Sequence, residues 1–358
     1  GGGELQISLL AKTLAKFGHE VVVIDYEISE AFTTMDGVKV IPVKGWNKGI
    51  RIIRNITHRF PQLYKTLKNQ NADIYYCRIR DFRHIIVYWA ARKIKAKFIL
   101  GLADGMDSIN FFKRCKYKYF TNIGTGGLWW FFDIIFTEIT HPILLRKSDI
   151  VLSQHEDQAR TLRNKNIHTV IQPNLIDLNE FPKVINPERH DFTFVASLSK
   201  NKGFDKIYEI IVKCPDHTFK VIGQPRDKTG HIYFKKLQVL KNVKLFGRLD
   251  HENTLLQMIN SKALINTSPV EGFPNIFLEA WACGIPVLSL YVNPGNVIEK
   301  YKLGRFANGD IEKLIEFMSN DLFDKDFSVR AYDYLNQYHI INESRIKIVG
   351  EFFNNHKF

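Results

Sequence analysis

The chain has 358 residues, with 50 Lys and Arg against 37 Asp and Glu and a formal net charge of +13. An apolar fraction of 45% and a charged fraction of 24% exclude a disordered or fibrous chain, and the length exceeds what one core usually fills, so two domains are expected. The positive balance favours anionic partners (anionic lipid, nucleic acid or phosphorylated substrates) without choosing among them.

Cys77, Cys115, Cys214 and Cys283 are scattered, with no Cys-x-x-Cys or histidine pairing. They indicate neither a metal site nor a disulfide framework and fit a reducing compartment. No signal peptide is visible. The most apolar run, 128–136, is too short to span a bilayer and contains Asp133.

The chain opens on Gly1-Gly2-Gly3-Glu4 without an initiator methionine, and a natural N-terminal segment is expected to be missing. Residues 4–17 read as an amphipathic helix closed by Gly18, and 20–25 as a short apolar strand. Further strands are expected at 38–43, 73–77, 97–102, 150–153 and 169–173, with helices between several of them. Alternation of this kind points to a parallel, doubly wound sheet. From Trp46 to Lys68, six Lys and Arg alternate with Ile50, Ile53, Ile56, Phe60, Leu63 and Leu67. Lys113, Arg114, Lys116 and Lys118 interleave with Phe111, Phe112, Tyr117, Tyr119 and Phe120. Basic residues among aromatics suit a membrane headgroup layer or a phosphate-bearing acceptor, and a solvated helix face equally for the first stretch. His155 follows a strand end, where a lone histidine is more often a bystander.

The segment 173–182 reads as the crossing into a second unit. There the pattern restarts, with strands at 192–197, 218–222, 243–246, 264–267 and 287–290, and helices near 203–213, 230–240, 252–260, 275–282 and 310–319. A final helix is expected at about 342–354. The one Asp-x-Asp, Asp324-Lys-Asp326, lies in a polar stretch and reads as surface, so no metal site is expected.

The most informative stretch is Glu271-Gly-Phe-Pro-Asn-Ile-Phe-Leu-Glu279, followed by Ala-Trp-Ala-Cys-Gly-Ile-Pro-Val287. A strand precedes the first glutamate, and a helix opens just after the Gly-Phe-Pro-Asn turn. A helix N-terminus there suits a phosphate or diphosphate. Eight helical steps span roughly 12 Å, a reach that suits holding two ends of one long polar ligand. The carboxylates therefore read first as hydroxyl-binding groups.

This Glu-x7-Glu setting resembles the donor-site signature of glycosyltransferase family 4, retaining enzymes of the GT-B fold. The resemblance covers nearly the whole chain and is strongest from about Val170. It implies an α/β fold of two Rossmann-like, doubly wound parallel-sheet domains facing across a cleft. Residues 1–176 would form the acceptor-side domain, lacking its usual first strand, and 177–340 the donor domain. Residues 341–358 would pack back on the first. By the same resemblance, Lys202 would neutralise the donor diphosphate, and Glu271 would face the sugar with the amides of Gly272, Phe273 and Asn275 beside Pro274. Glu279 would hold the ribose hydroxyls. Gly223 and Arg248 would flank the nucleotide, and Gly2 and Gly3 would meet phosphates in a glycine-rich loop. Two positions depart from the family pattern. Ser197 replaces an arginine, with Lys200 or Arg248 as substitutes, and Ala103 replaces a histidine before Asp104, which is carried over as catalytic.

The implied activity is transfer of a hexose-type sugar from a nucleotide-diphosphate sugar to a saccharide or lipid-linked acceptor, with no metal or other cofactor. The work would be in surface polysaccharide or glycolipid synthesis, in the cytoplasm and peripherally on the inner face of the cell membrane. An anionic membrane surface is a further expected partner, and nucleic acid is not. Two rival readings stand beside it: a non-catalytic sugar-nucleotide sensor, and a DNA-modifying glucosyltransferase.

Overall fold

The structure is a computed structural model. It describes residues 2–50, 53–105, 107–108, 128–181, 189–320 and 326–341, without the side chains of 128–133. The described residues form two compact units. One takes those within 1–103 and 126–175 together with Ile341, the other those within 104–125 and 176–340. The sequence boundary near 176 is thus crossed by one short segment, because the turn at 104–108 packs with the second unit. The helix expected at 342–354, the basic-aromatic cluster at 111–120 and Asp324 lie outside the described residues.

In the first unit, α1 (Gly2–Lys16) is followed by β1 (Val22–Asp25), β2 (Phe32–Thr33) and β3 (Lys39–Pro42). Strands β1 and β3 pair in parallel, and β2 adds antiparallel to β3. Next come α2 (Phe60–Gln70), β4 (Ile74–Arg78), α3 (His84–Lys93) and β5 (Lys97–Gly101). Then follow α4 (Leu128–Lys147), β6 (Ile150–Ser153), α5 (Glu156–Arg163) and β7 (Thr169–Ile171). Strands β4 to β7 form a separate parallel sheet in chain order. Leu63 and Leu67, one helical turn apart, pin α2 to this core alongside Phe98, Leu100 and Val151.

The second unit holds one parallel sheet of six strands, in the order β10-β9-β8-β11-β12-β13. The strands are β8 (Asp191–Val195), β9 (Phe219–Ile222), β10 (Val243–Gly247), β11 (Ser261–Asn266), β12 (Val287–Ser289) and β13 (Gly304–Phe306). Between them run α6 (Phe204–Lys213), α7 (Lys228–Leu237), α8 (His251–Ile259), α9 (Asn275–Ala282) and α10 (Val297–Lys300). Two further helices, α11 (Ile311–Ser319) and α12 (Phe327–Tyr338), follow β13. Asp227, Asp250 and Asp310 start α7, α8 and α11, each carboxylate accepting an amide three residues on. Strands β9 and β12 are buried along their whole length, and β8 and β11 at all but one position, so both faces of the middle of the sheet are covered.

Four elements of the labelled set were absent from the sequence expectation, among them the four-residue helix α10. Strand β2 is two exposed residues with no alternation to read. Strand β13 is Gly-Arg-Phe, and it fits because a Cβ at Gly304 would lie 2.0 Å from the Val287 carbonyl oxygen. Helix α12 buries Phe327, Ala331, Tyr334 and Leu335 at helical spacing within an otherwise polar stretch.

Candidate active site

The strand order locates the site. From β8 the chain steps outward to β9 and β10, then returns to place β11 on the other side of β8. Loops leaving the carboxyl ends of β8 and β11 therefore part in opposite directions, and such a switch point is where parallel sheets bind ligands. The β8 loop carries Ser197 and Lys202; the β11 loop carries Glu271.

Those two loops meet. Lys202 Nζ donates to Glu271 Oε1, with the side chains 35% and 20% exposed. Lys202 closes a 3-10 turn (200–202) that ends at Gly203 in the left-handed region, φ +66. Thr267, fully buried at the end of β11, brings its hydroxyl within reach of the carbonyls of Lys202 (3.1 Å) and Gly203 (2.9 Å). Asp227 fixes the other side of the loop, accepting from the Lys200 amide at 2.9 Å and the Gly230 amide at 2.7 Å. A lysine on a loop anchored at both ends is a preorganised cation rather than a solvated one.

Beyond Glu271, Gly272, Phe273 and Pro274 are buried and lead into α9, which no side chain caps. This start, four residues past Glu271, carries the positive end of the helix dipole. The Phe273 ring turns away into the core against Trp281 and His339, so only its backbone is available to a ligand.

Glu279 sits one turn into α9 with a side chain 15% exposed, 3.8 Å from His251 Nε2. Burial raises its pKa above the ordinary 4.5, with His251 pulling it down and Glu180 pushing it up. His251 in turn meets the Phe181 ring edge-on. The buried Cys283 thiol nearby is pushed up to about 12 by burial, so it stays protonated and inert.

The remaining expected residues divide. Ser197, Lys200 and Arg248 are exposed around the same strand ends. Gly223, φ +144, is required by the protein itself: a Cβ there would lie 1.8 Å from the Ala196 carbonyl oxygen. Its amide donates to the Gly247 carbonyl at 2.7 Å, joining the two glycine turns. The turn carrying Asp104 reaches this site, since a Cβ on Gly105 would lie 2.3 Å from the Glu271 carbonyl oxygen. Buried Asp107 holds that turn by accepting from the Asp104 amide at 2.9 Å. Gly2 and Gly3 form the first turn of α1, not a loop before it, and belong to the first unit. His155 is also there, 13% exposed and 3.7 Å from Asp157, its pKa lowered by burial.

Three residues were missed from the sequence: Thr267, Asp227 and His251. Only Asp227 had a readable signal, the Asp-Lys-Thr-Gly start of α7. A cavity of about 380 Å³ lies at the opposite edge of the sheet, lined by Asp191, Lys220, Lys244 and Phe246 among others. Its one carboxylate, Asp191, is shared by Lys220 at 3.5 Å and Lys244 at 3.7 Å, and Lys220 also donates to the Gln257 carbonyl. It stands apart from the switch point.

Residues 176–330 match the family model described as Glycosyl transferases group 1. Over that span the second unit is similar to the group 1 glycosyltransferases. The whole chain resembles sucrose-phosphate synthase from Thermosynechococcus elongatus, with a TM-score of 0.76 at 13% identity over 99% of this chain and 93% of that one. Anabaena Alr3699/HepE, solved in complex with UDP and glucose, gives 0.70 at 14% identity over 99% and 96%. Likeness at these identities establishes the fold, and it is GT-B, as expected. A phosphatidylinositol N-acetylglucosaminyltransferase subunit from Homo sapiens is 23% identical over 303 residues, 82% of this chain. The chain spans 59% of that relative's length.

Proposed function

We propose that the protein moves a hexose-type sugar from a nucleotide-diphosphate sugar to a hydroxyl of a saccharide or lipid-linked saccharide, with retention of configuration and without a metal. The observation that carries this is Lys202, held by Thr267 against Glu271 at the switch point of a unit similar to the group 1 glycosyltransferases. Two likenesses support it: a GT-B structure described with UDP and glucose, and a relative named for transfer of an amino sugar to a phospholipid.

In this reading the diphosphate lies on Lys202 and the first amides of α9. As the bond from sugar C1 to the phosphate oxygen breaks, its electron pair passes to the diphosphate. Lys202 stabilises the growing charge, most strongly in the transition state. The acceptor oxygen bonds to C1 on the same face, and its proton passes to a leaving phosphate oxygen. Glu271 orients the sugar hydroxyls and releases Lys202 to the phosphate. Glu279 accepts the ribose hydroxyls, and Asp104 lines the sugar end.

A thermal-shift panel of UDP, GDP, ADP, TDP and CMP without metal tests the site. One nucleotide is expected to stabilise the wild type by about 2.7 kcal/mol at 100 times its dissociation constant, and not to stabilise Glu279→Ala. No shift with any nucleotide would leave the sensor and donor readings both unsupported. The pH dependence has a definite sign. Because burial raises the Glu279 pKa, its contribution to the unliganded fold is present below the ordinary 4.5 and lost as pH rises through the raised value. A ribose needs the carboxylate, so nucleotide affinity should instead rise with pH through that same range. In Glu279→Gln that pH dependence should vanish, and its persistence would assign it elsewhere.

We place the work in surface polysaccharide or glycolipid synthesis, with the first unit resting peripherally on the inner face of a membrane. Among the described residues no helix is long and apolar enough to cross one. Ile50, Ile53 and Ile56 are exposed at 68%, 44% and 72%. A ring series, Phe60–Phe82–Phe136, links them to exposed Phe136, Ile139 and Ile143 on α4. Not every basic residue of that stretch is free, since Arg59 covers the buried Trp46 ring and donates to its carbonyl. The protein should sediment with vesicles containing phosphatidylserine, less so at high salt, and not with phosphatidylcholine alone. Ile53→Asp with Ile56→Asp should abolish sedimentation, and retention by the double variant would remove this face from the proposal.

A further inference from the structure

Among the described residues of the first unit, deeply covered arginines meet carboxylates at two places and not at a third. Arg80 lies 2.9 Å from Glu138, their side chains 10% and 2% exposed, and Arg83 is bound to Asp81. Arg78, the last residue of β4, is 7% exposed and meets no carboxylate among the described residues. Its Nη2 donates to the neutral Asn174 Oδ1 at 2.6 Å, an oxygen that also accepts from Gln154 at 3.0 Å. Its Nε is buried with no partner. Two residues earlier on the same strand face, the buried Tyr76 hydroxyl lies close enough to feel the Arg78 charge but supplies no counter-charge, burial holding its pKa up. It occupies space over β5 that exists only because residue 101 is glycine, where a Cβ would come within 2.4 Å.

A buried charge without a counter-ion is costly, and neutral hydrogen bonds do not neutralise it. Its position gives the cost a purpose. Arg78, Gln154 and Asn174 all stand at or just past the carboxyl ends of β4, β6 and β7, the side on which parallel sheets take ligands. Directly after Arg78 the chain turns through Ile79 at φ +70, a strained conformation for a β-branched residue. The first turn of α1 abuts this corner, a Cβ on Gly3 lying 2.5 Å from Ile79 Cδ1. A guanidinium fork beside a helix start fits one anion best, a phosphate group.

We propose that Arg78 receives a phosphate group carried by the acceptor, so that the enzyme glycosylates phosphorylated acceptors rather than neutral sugars. This rests on the glycosyltransferase reading, and the closing experiment separates the two. Thermal stability of the full chain is measured with inorganic phosphate and, separately, with the stabilising nucleoside diphosphate, on wild type, Arg78→Met and Lys202→Gln. Lys202→Gln should lose nucleotide binding and keep the part of the phosphate response that Arg78 carries. Arg78→Met should be at least as stable as wild type without ligand, bind phosphate ten-fold or more weakly, and keep its nucleotide shift. An unchanged phosphate response in Arg78→Met overturns the proposal, and so does a large loss of ligand-free stability, which would mark a structural cation. If Arg78→Met does not fold, Arg78→Lys decides, with several-fold weaker phosphate binding expected and unchanged binding overturning it. Loss of nucleotide binding in wild type with the phosphate response intact would sink the glycosyltransferase reading alone. Glycerol 3-phosphate and a short-chain phosphatidylglycerol then distinguish a soluble from a lipid source, the tighter binder through Arg78 naming it.

Discussion

Lys202→Ala is expected to lower the transfer rate about 10²- to 10³-fold while leaving the protein folded, the usual loss when one fixed group facing developing charge is removed. The fold survives because the lost partner is a partly exposed ion pair, worth roughly 0–1 kcal/mol in such settings. The loop keeps its shape because Thr267 and Asp227 hold backbone groups, not the lysine side chain. Charge on the leaving diphosphate is greatest in the transition state, so kcat should fall much more than nucleotide affinity. Steady-state rates with saturating donor, beside nucleotide titrations, make the distinction. An equal loss in affinity and in kcat/KM with kcat unchanged would make Lys202 a ground-state binding residue only.

Gly203→Ala should act through the backbone. At φ +66 an L side chain is strained, and the new Cβ would stand 2.0 Å from the Thr267 carbonyl oxygen, a backbone atom in the β11 end. Relief requires the Lys202 loop to move off β11, breaking the hydroxyl contacts from Thr267. A destabilisation on the order of 3 kcal/mol follows, or about 5–10 °C in Tm. Residual folded protein should also lose transfer activity, because Lys202 no longer meets Glu271. Calorimetry beside an activity assay at low temperature reads both. A variant with wild-type Tm would mean that the two loops are not locked together as the distances indicate.

Much of the second unit was readable because each signal was local. Aspartates that cap helices, apolar runs of strand length and Gly284 after α9 each act within one turn of the chain. Helix α9 was anticipated at its observed bounds for that reason. The first unit was less legible where its elements are short or exposed, as at β2, whose two residues are exposed and bury no side chain that could pattern it. At Gly223 the sequence pointed to a glycine, and the structure adds a reason within the protein, since the Ala196 carbonyl leaves no room for a Cβ.

Composition, local periodicity and the Glu-x7-Glu motif by themselves determined the α/β class, the two-unit organisation and the strand–turn–helix setting of Glu271 and Glu279. Tertiary structure alone decided that β8 and β11 are neighbours, which makes their ends a switch point. It alone brought Lys202 to Glu271 across 69 residues of chain, set the Asp104 turn against Glu271, and turned the Phe273 ring into the core. It also left Arg78 buried at a strand end beside Asn174, 96 residues away, with no carboxylate among the described residues. The reason is physical. Propensity and capping act over a few residues, whereas burial of a charge and choice of its partner depend on segments that meet only once the sheets have formed.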